Sequence, residues 1–145
     1  MSTNNTSLHD TELALLVDRF MRRIHFGLQS RAPDFDKKSV GPGGGFILMT
    51  LADMGYTRLN ELTRRVARDK SQMTRTMHSL ERKGLVRREP SPTDGRVSMV
   101  SLTPEGDVVV GELMAAVADA IGEILEPISE EEKETLKHLL RRIHV

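Results

Sequence analysis

The sequence predicts a mainly α-helical chain with one small β-hairpin, and three observations carry that expectation. Apolar residues recur at three- and four-residue steps along most of the 145 residues. The one region with paired β-branched stretches is split by Pro90, Pro92, Asp94 and Gly95. Two short helical stretches, Arg58 to Val66 and Lys70 to Lys83, are separated by only three residues, the spacing of a helix-turn-helix.

Taken in order, Asp10 to about Arg31 reads as an amphipathic helix through Leu13, Leu16, Val17, Phe20, Met21, Ile24 and Leu28. Ala32 to Gly45 holds Pro33, Pro42 and four glycines and reads as a loop or a poorly wound helix start. Phe46 to Met54 is a short apolar helix ended by Gly55. Thr57 is placed to cap Arg58–Val66, with Leu59, Leu62 and Val66 on one face. Asp69 is placed to cap Lys70–Lys83 in a capping-box-like exchange with Gln72, and Gly84 closes that helix. Leu85–Arg88 and Val97–Leu102 form the hairpin. Thr103 then caps a long helix that starts with Pro104 and runs to about Glu126, where Pro127 stops it. Ser129 and Glu132 form a capping box for a last helix containing Leu136, Leu139, Leu140 and Ile143.

The net charge is zero, yet its distribution is uneven. Met1–Thr57 carries 6 basic and 6 acidic residues, Arg58–Val100 carries 11 and 5, and Ser101–Val145 carries 4 and 10. A basic centre beside an acidic tail suits a polyanion-binding module joined to a separate non-binding element, although two solvated faces would look the same. No apolar run approaches the roughly 20 residues of a membrane helix. Met1–Asp10 is polar, without a basic and then apolar leader, so the expected location is the cytoplasm. With no cysteine, disulfides, thiolate metal sites and thiol redox sensing are excluded.

At about 100° per residue, Met73, Met77 and Leu80 fall on one side of the Lys70–Lys83 helix. Ser71, Arg75, His78 and Arg82 fall on the other, with Gln72 and Thr74 flanking. Arg pairs bidentately with guanine and Gln with adenine, Ser and Thr bond bases or phosphates, and a helix fits the major groove. A polar helix face is often merely a wet one, but here a second short helix and a basic hairpin accompany it. At the hairpin tip, Arg96 is placed to enter the minor groove with Asp94 bracing its guanidinium.

The stretch from about Phe46 to Gly106 resembles the MarR family of winged helix-turn-helix regulators. The resemblance rests on Glu61 and Leu62, Asp69 to Arg75, Leu80, Glu81, Gly84, Leu85 and Val86, the wing pair Asp94 and Arg96, and the run Leu102, Thr103, Pro104, Glu105, Gly106. It implies a winged helix-turn-helix flanked by N- and C-terminal dimerisation helices, divided as residues 1–33, 34–103 and 104–145. It also implies a homodimer on a near-palindromic operator in double-stranded DNA, released when a small aromatic effector binds near Phe26 and Phe46. The implied DNA-binding set is Lys70, Ser71, Gln72, Thr74, Arg75, His78, Arg82, Asp94 and Arg96. The chain departs from the family pattern at Gly95, where a basic residue is frequent, at Thr63, where Ala is usual, and at the cluster Gly41–Gly45.

The wide apolar stripes of the first and last helices need a partner, either each other in an intramolecular bundle or a second subunit. The duplicated half-sites read by helix-turn-helix proteins favour the dimer. The histidines, His9, His25, His78, His138 and His144, include no pair at i, i+4, and Glu134 with His138 is a solvated pair rather than a metal site. Gly41–Gly45 lacks the Lys and hydroxyl of a phosphate loop, and no nucleophile motif occurs, so neither a cofactor nor an enzyme activity is expected. Five aromatics, none beyond Tyr56 in the basic segment, argue against stacking on single-stranded RNA. The other reading is a winged-helix protein-interaction module without DNA readout.

Overall fold

The computed structural model describes residues 10–143; His9, His144 and the polar stretch before Asp10 lie outside them. Six helices and three strands follow in the order α1 (Thr11–Phe35), α2 (Gly41–Met54), β1 (Thr57–Arg58), α3 (Leu59–Val66), α4 (Lys70–Arg82), β2 (Val86–Pro90), β3 (Ser98–Leu102), α5 (Pro104–Ile124) and α6 (Glu130–Arg142). They fall into two compact units. One is Ala32–Ala116; the other joins Met1–Arg31 to Val117–Val145, as far as these are described.

In the Ala32–Ala116 unit the core is continuous. Ile47, Leu48 and Leu51 of α2, Leu62 and Val66 of α3, Met73, Met77 and Leu80 of α4, and Leu85, Val86 and Val100 are all buried. Each helix presents residues spaced three or four apart, as the apolar periodicity requires. The sheet is antiparallel with order β1-β3-β2. β3 is central and buries Val100, which faces Arg88 on one side and Thr57 on the other. Pro90, with no N–H to donate, is tolerated because β2 is an edge strand.

Three local expectations are corrected. Thr57 does not cap α3; it pairs with Val100 as the first residue of β1, and Arg58 takes the cap position without a side-chain bond. A two-residue strand carries too little pattern to compete with a cap signal in sequence. Asp69 caps α4, but its carboxylate accepts from the backbone N–H and hydroxyl of Ser71, both at 3.1 Å, rather than entering an exchange with Gln72. The first helix passes Arg31 and runs through Pro33 to Phe35, since a proline in the last turn costs only one intrahelical bond.

The glycine cluster takes the second of its two readings, a helix start rather than a loop. The Asp36 carboxylate accepts from the N–H groups of Val40 (2.8 Å) and Gly41 (2.9 Å), and α2 begins there with Pro42 in its first turn. Gly44 and Gly45 are buried; a Cβ on Gly44 would lie 2.6 Å from Val40 Cγ1, and one on Gly45 3.1 Å from Leu113 Cδ2. These glycines serve close packing, not flexibility.

The join between α4 and the hairpin is defined by backbone geometry. Gly84 takes φ 74°, Leu85 N–H donates to Leu80 O at 3.0 Å and Gly84 N–H to Glu81 O at 3.0 Å, which is the Schellman pattern. The Thr103 hydroxyl donates to Gly84 O and accepts from Gly106 N–H at 3.1 Å, so one side chain caps α5 and ties it to the end of α4. Gly106 is required there, because a Cβ would collide with the Leu85 carbonyl.

In the other unit, Ala120 is packed against Gly27, and Arg31 forms an ion pair with Glu123 while donating to Gly27 O at 3.1 Å. The Glu123 hydrogen bond raises the Arg31 pKa above its ordinary value. The capping box at Ser129 forms as expected, with Ser129 N–H to Glu132 Oε1 at 2.8 Å and Glu132 N–H to Ser129 Oγ at 3.1 Å. No residue of α1 or α6 is buried.

Candidate nucleic-acid interface

The candidate face is built on α4. With Met73, Met77 and Leu80 in the core, the helix must expose the opposite side, and Lys70, Ser71, Gln72, Thr74, Arg75, His78 and Arg82 are all exposed. Three of them are held along the helix. Ser71 bonds Asp69. The Thr74 hydroxyl donates to Lys70 O at 2.9 Å, and Arg75 Nε donates to Ser71 O at 3.4 Å. The Arg75 bond is long and exposed, so a partner with a better acceptor would displace it readily. Gln72, His78 and Arg82 stand in solvent.

At the wing tip the Asp94 carboxylate accepts from the Arg96 backbone N–H at 3.1 Å, Val97 N–H donates to Asp94 O at 3.0 Å, and Ser91 N–H donates to Val97 O at 2.8 Å. Asp94 therefore shapes the turn through the backbone. The expected brace on the Arg96 guanidinium does not form, because the carboxylate is satisfied two residues on, as in an Asx-turn.

Lys70, Thr74 and Arg96 come together on one groove of about 530 Å³ between α3, α4 and the base of the wing. Arg64, Asn60, Thr63 and Arg88 line it as well, over a floor that includes Met73 and Met77. Sequence reasoning missed these four. Arg87 and Arg88 alternate across β2, so one of them had to face the helix, but the register decides which. Ser71, Gln72, Arg75, His78 and Arg82 lie outside the groove on the exposed face of α4, and Asp94 is exposed at the tip. Phe46 is exposed on α2 of the Ala32–Ala116 unit, and Phe26 is 73% exposed on α1 of the other.

Among the described residues, Arg64 pairs with Glu61 at 3.2 Å and Arg88 with Glu81 at 3.3 Å, whereas Lys70, Arg75, Arg82 and Arg96 pair with no carboxylate. Uncompensated cations on an exposed face, flanked by hydroxyls, present the donor set that binds phosphates and base edges. No group of three or more metal-ligating side chains is found among the described residues.

A family model described as "MarR family" matches residues 44–98, the span from α2 to the start of β3. Over 135 residues the chain is 28% identical to the HTH-type transcriptional repressor MdtR of Bacillus subtilis (strain 168), covering 88% of this chain and 87% of that protein. Among solved structures, a probable transcriptional regulator from Pseudomonas aeruginosa shares 28% identity with a TM-score of 0.70, covering 92% of this chain and 97% of that one. A MarR variant from E. coli, complexed with operator DNA, has the same fold at 22% identity, with a TM-score of 0.71 and 98% of each chain covered. The α4 face and the wing groove thus lie within the residues that the family model matches.

Proposed function

We propose that this protein is a sequence-specific DNA-binding transcriptional regulator, a homodimeric and ligand-responsive repressor acting in the cytoplasm rather than an enzyme. The observation that carries the reading is the exposed, uncompensated cationic face of α4 beside the Arg96 groove. In it, Gln72, Arg75 and His78 meet base edges in the major groove. Lys70, Ser71, Thr74 and Arg82 bond phosphates, and Arg96 enters the minor groove from a turn shaped by Asp94. Residues 34–103 form the DNA-binding part, and residues 1–33 and 104–145 the dimerisation part. The dimer is supported by apolar side chains left uncovered on α1 and α6, among them Leu13, Met21 and Leu140. A small aromatic effector is the further element of the reading, with exposed Phe26 and Phe46 as the side chains assigned to it.

Mobility shift on the DNA upstream of the protein's own gene tests the proposal. With about 8 phosphate contacts per dimer, log K falls against log salt with a slope of roughly −7. A flat salt dependence favours the protein-interaction module instead.

A further inference from the structure

Among the described residues, one buried side-chain polar atom lacks a hydrogen bond, Glu81 Oε1. Its neighbour is Arg88 Nε at 3.3 Å, an ion-pair distance without hydrogen-bond alignment, and the two side chains are 28% and 32% exposed. Placing a carboxylate oxygen out of water beside a single cation is costly unless the pairing does something. It also puts a negative charge on the segment that must approach phosphate, which by charge alone weakens DNA binding.

The position of the pair shows what it achieves. Glu81 lies on the last turn of α4, and Arg88 lies at the middle of β2, paired with Val100 of the central strand. The ion pair spans the Gly84 turn and ties the helix to the edge strand that leads into the wing tip. Arg88 lines the groove together with Lys70, Thr74 and Arg96. The contact is to Nε, which leaves the terminal guanidinium nitrogens out of the Glu81 pair.

We infer that Glu81 is a positioning residue for DNA binding. It brackets Arg88, and through β2 holds the wing at a fixed distance from α4, so that Arg96 and the α4 face engage their grooves in one register. The inference rests on the DNA-binding reading above. Its sign separates it from simple electrostatics: removing the Glu81 charge should tighten binding if charge alone matters, and weaken it if the bracket matters.

The test uses the full chain, with operator affinity measured for wild type, Glu81→Gln and Glu81→Asp. Glu81→Gln keeps the size and loses the charge; Glu81→Asp keeps the charge and shortens the reach. Both are expected to weaken binding about 5- to 20-fold, the range of one misplaced arginine contact. Arg96→Ala should cost less affinity in either background than in wild type, since the wing is then already loose. In the DNA-free protein, amides of β2 and β3 should exchange faster in both variants than in wild type, while the melting temperature stays close to wild type. Tighter or unchanged affinity for Glu81→Gln overturns the inference. So does a strictly additive Arg96→Ala cost, or an unchanged wing exchange. If wild-type protein binds no operator, the DNA reading itself falls, and the exchange comparison still reports on the bracket by itself.

Discussion

In the Ala32–Ala116 unit, Ile47, Leu48, Leu62, Leu85 and Val100 are wholly buried, and α2, α3, α4, β2 and β3 all contribute to one core. The α1 and α6 helices of the other unit keep a comparable apolar stripe, yet Leu13 is 56% exposed, Leu139 49% and Leu140 57%. The winged unit is complete within one chain; the helical unit is not. An amphipathic helix stabilises a fold only as far as its stripe is covered, so one chain can hold a closed core and an open apolar stripe, and the proposed dimer rests on the open one.

Removing α1 should have the largest effect. Deleting residues 1–31 should abolish the dimer, leaving monomer or aggregate in sedimentation; a clean dimer from that variant would place the interface elsewhere. Next in size is a matched pair of core changes. Leu48→Ala, at a position with 0% exposure, should cost about 2 to 5 kcal/mol in denaturant unfolding. Leu140→Ala should leave the unfolding of the winged part unchanged and weaken association instead, so its effect should grow as protein is diluted.

Within the winged unit, α4 and the wing should respond differently to loss of their arginines. Arg75→Ala should cost about 1 to 3 kcal/mol of binding and flatten discrimination at one base pair per half-site. Arg96→Ala should weaken binding evenly across operator variants, because the minor groove separates A·T from G·C only coarsely. Equal and uniform losses from both substitutions, measured on single-base operator variants, would show that α4 is not the element that reads sequence. Asp94→Ala should cost less than Arg96→Ala, since Asp94 bonds the turn backbone and not the guanidinium.

The smallest expected effect is at the Ser129 capping box. Hydrogen bonds from the Ser129 backbone, and then from its side chain, hold the Glu132 carboxyl below its ordinary value of 4.5. A depressed folded-state pKa contributes stability that is present above 4.5 and lost as pH falls through the lower folded value. The advantage of wild type over Glu132→Gln in thermal melts should therefore be small at neutral pH and vanish on acidification below that point.

Several elements were legible because their signals are local. Met73, Met77 and Leu80 lie on the buried side of α4, as their spacing requires, and the polar residues opposite are exposed for the same geometric reason. Ser129 with Glu132, Thr103 before Pro104, and Gly84 after α4 are contacts spanning a few residues, so sequence alone contains both partners. The departures share the opposite cause. Gly44 and Gly45 read as breakers until Val40 and Leu113 are seen against them. Thr57 reads as a cap until Val100, 43 positions away, pairs with it. Ala67 turns the chain between α3 and α4 at φ 54°, a left-handed position that no glycine announces.

The helical periodicity, the caps at Asp69, Thr103 and Ser129 and the polar face of α4 depend on residues within a turn or two of one another, and the basic centre on composition, so all of them are set by the order of amino acids. That Arg88 rather than Arg87 faces the groove, that Glu81 meets it, that Asp94 holds backbone instead of guanidinium, and that the glycine cluster is a packed helix start all come from the assembled fold. Those outcomes depend on strand register and on how closely two backbones approach. Both are set by the summed packing of distant segments, where a shift of one residue turns every side chain of a strand to the other face.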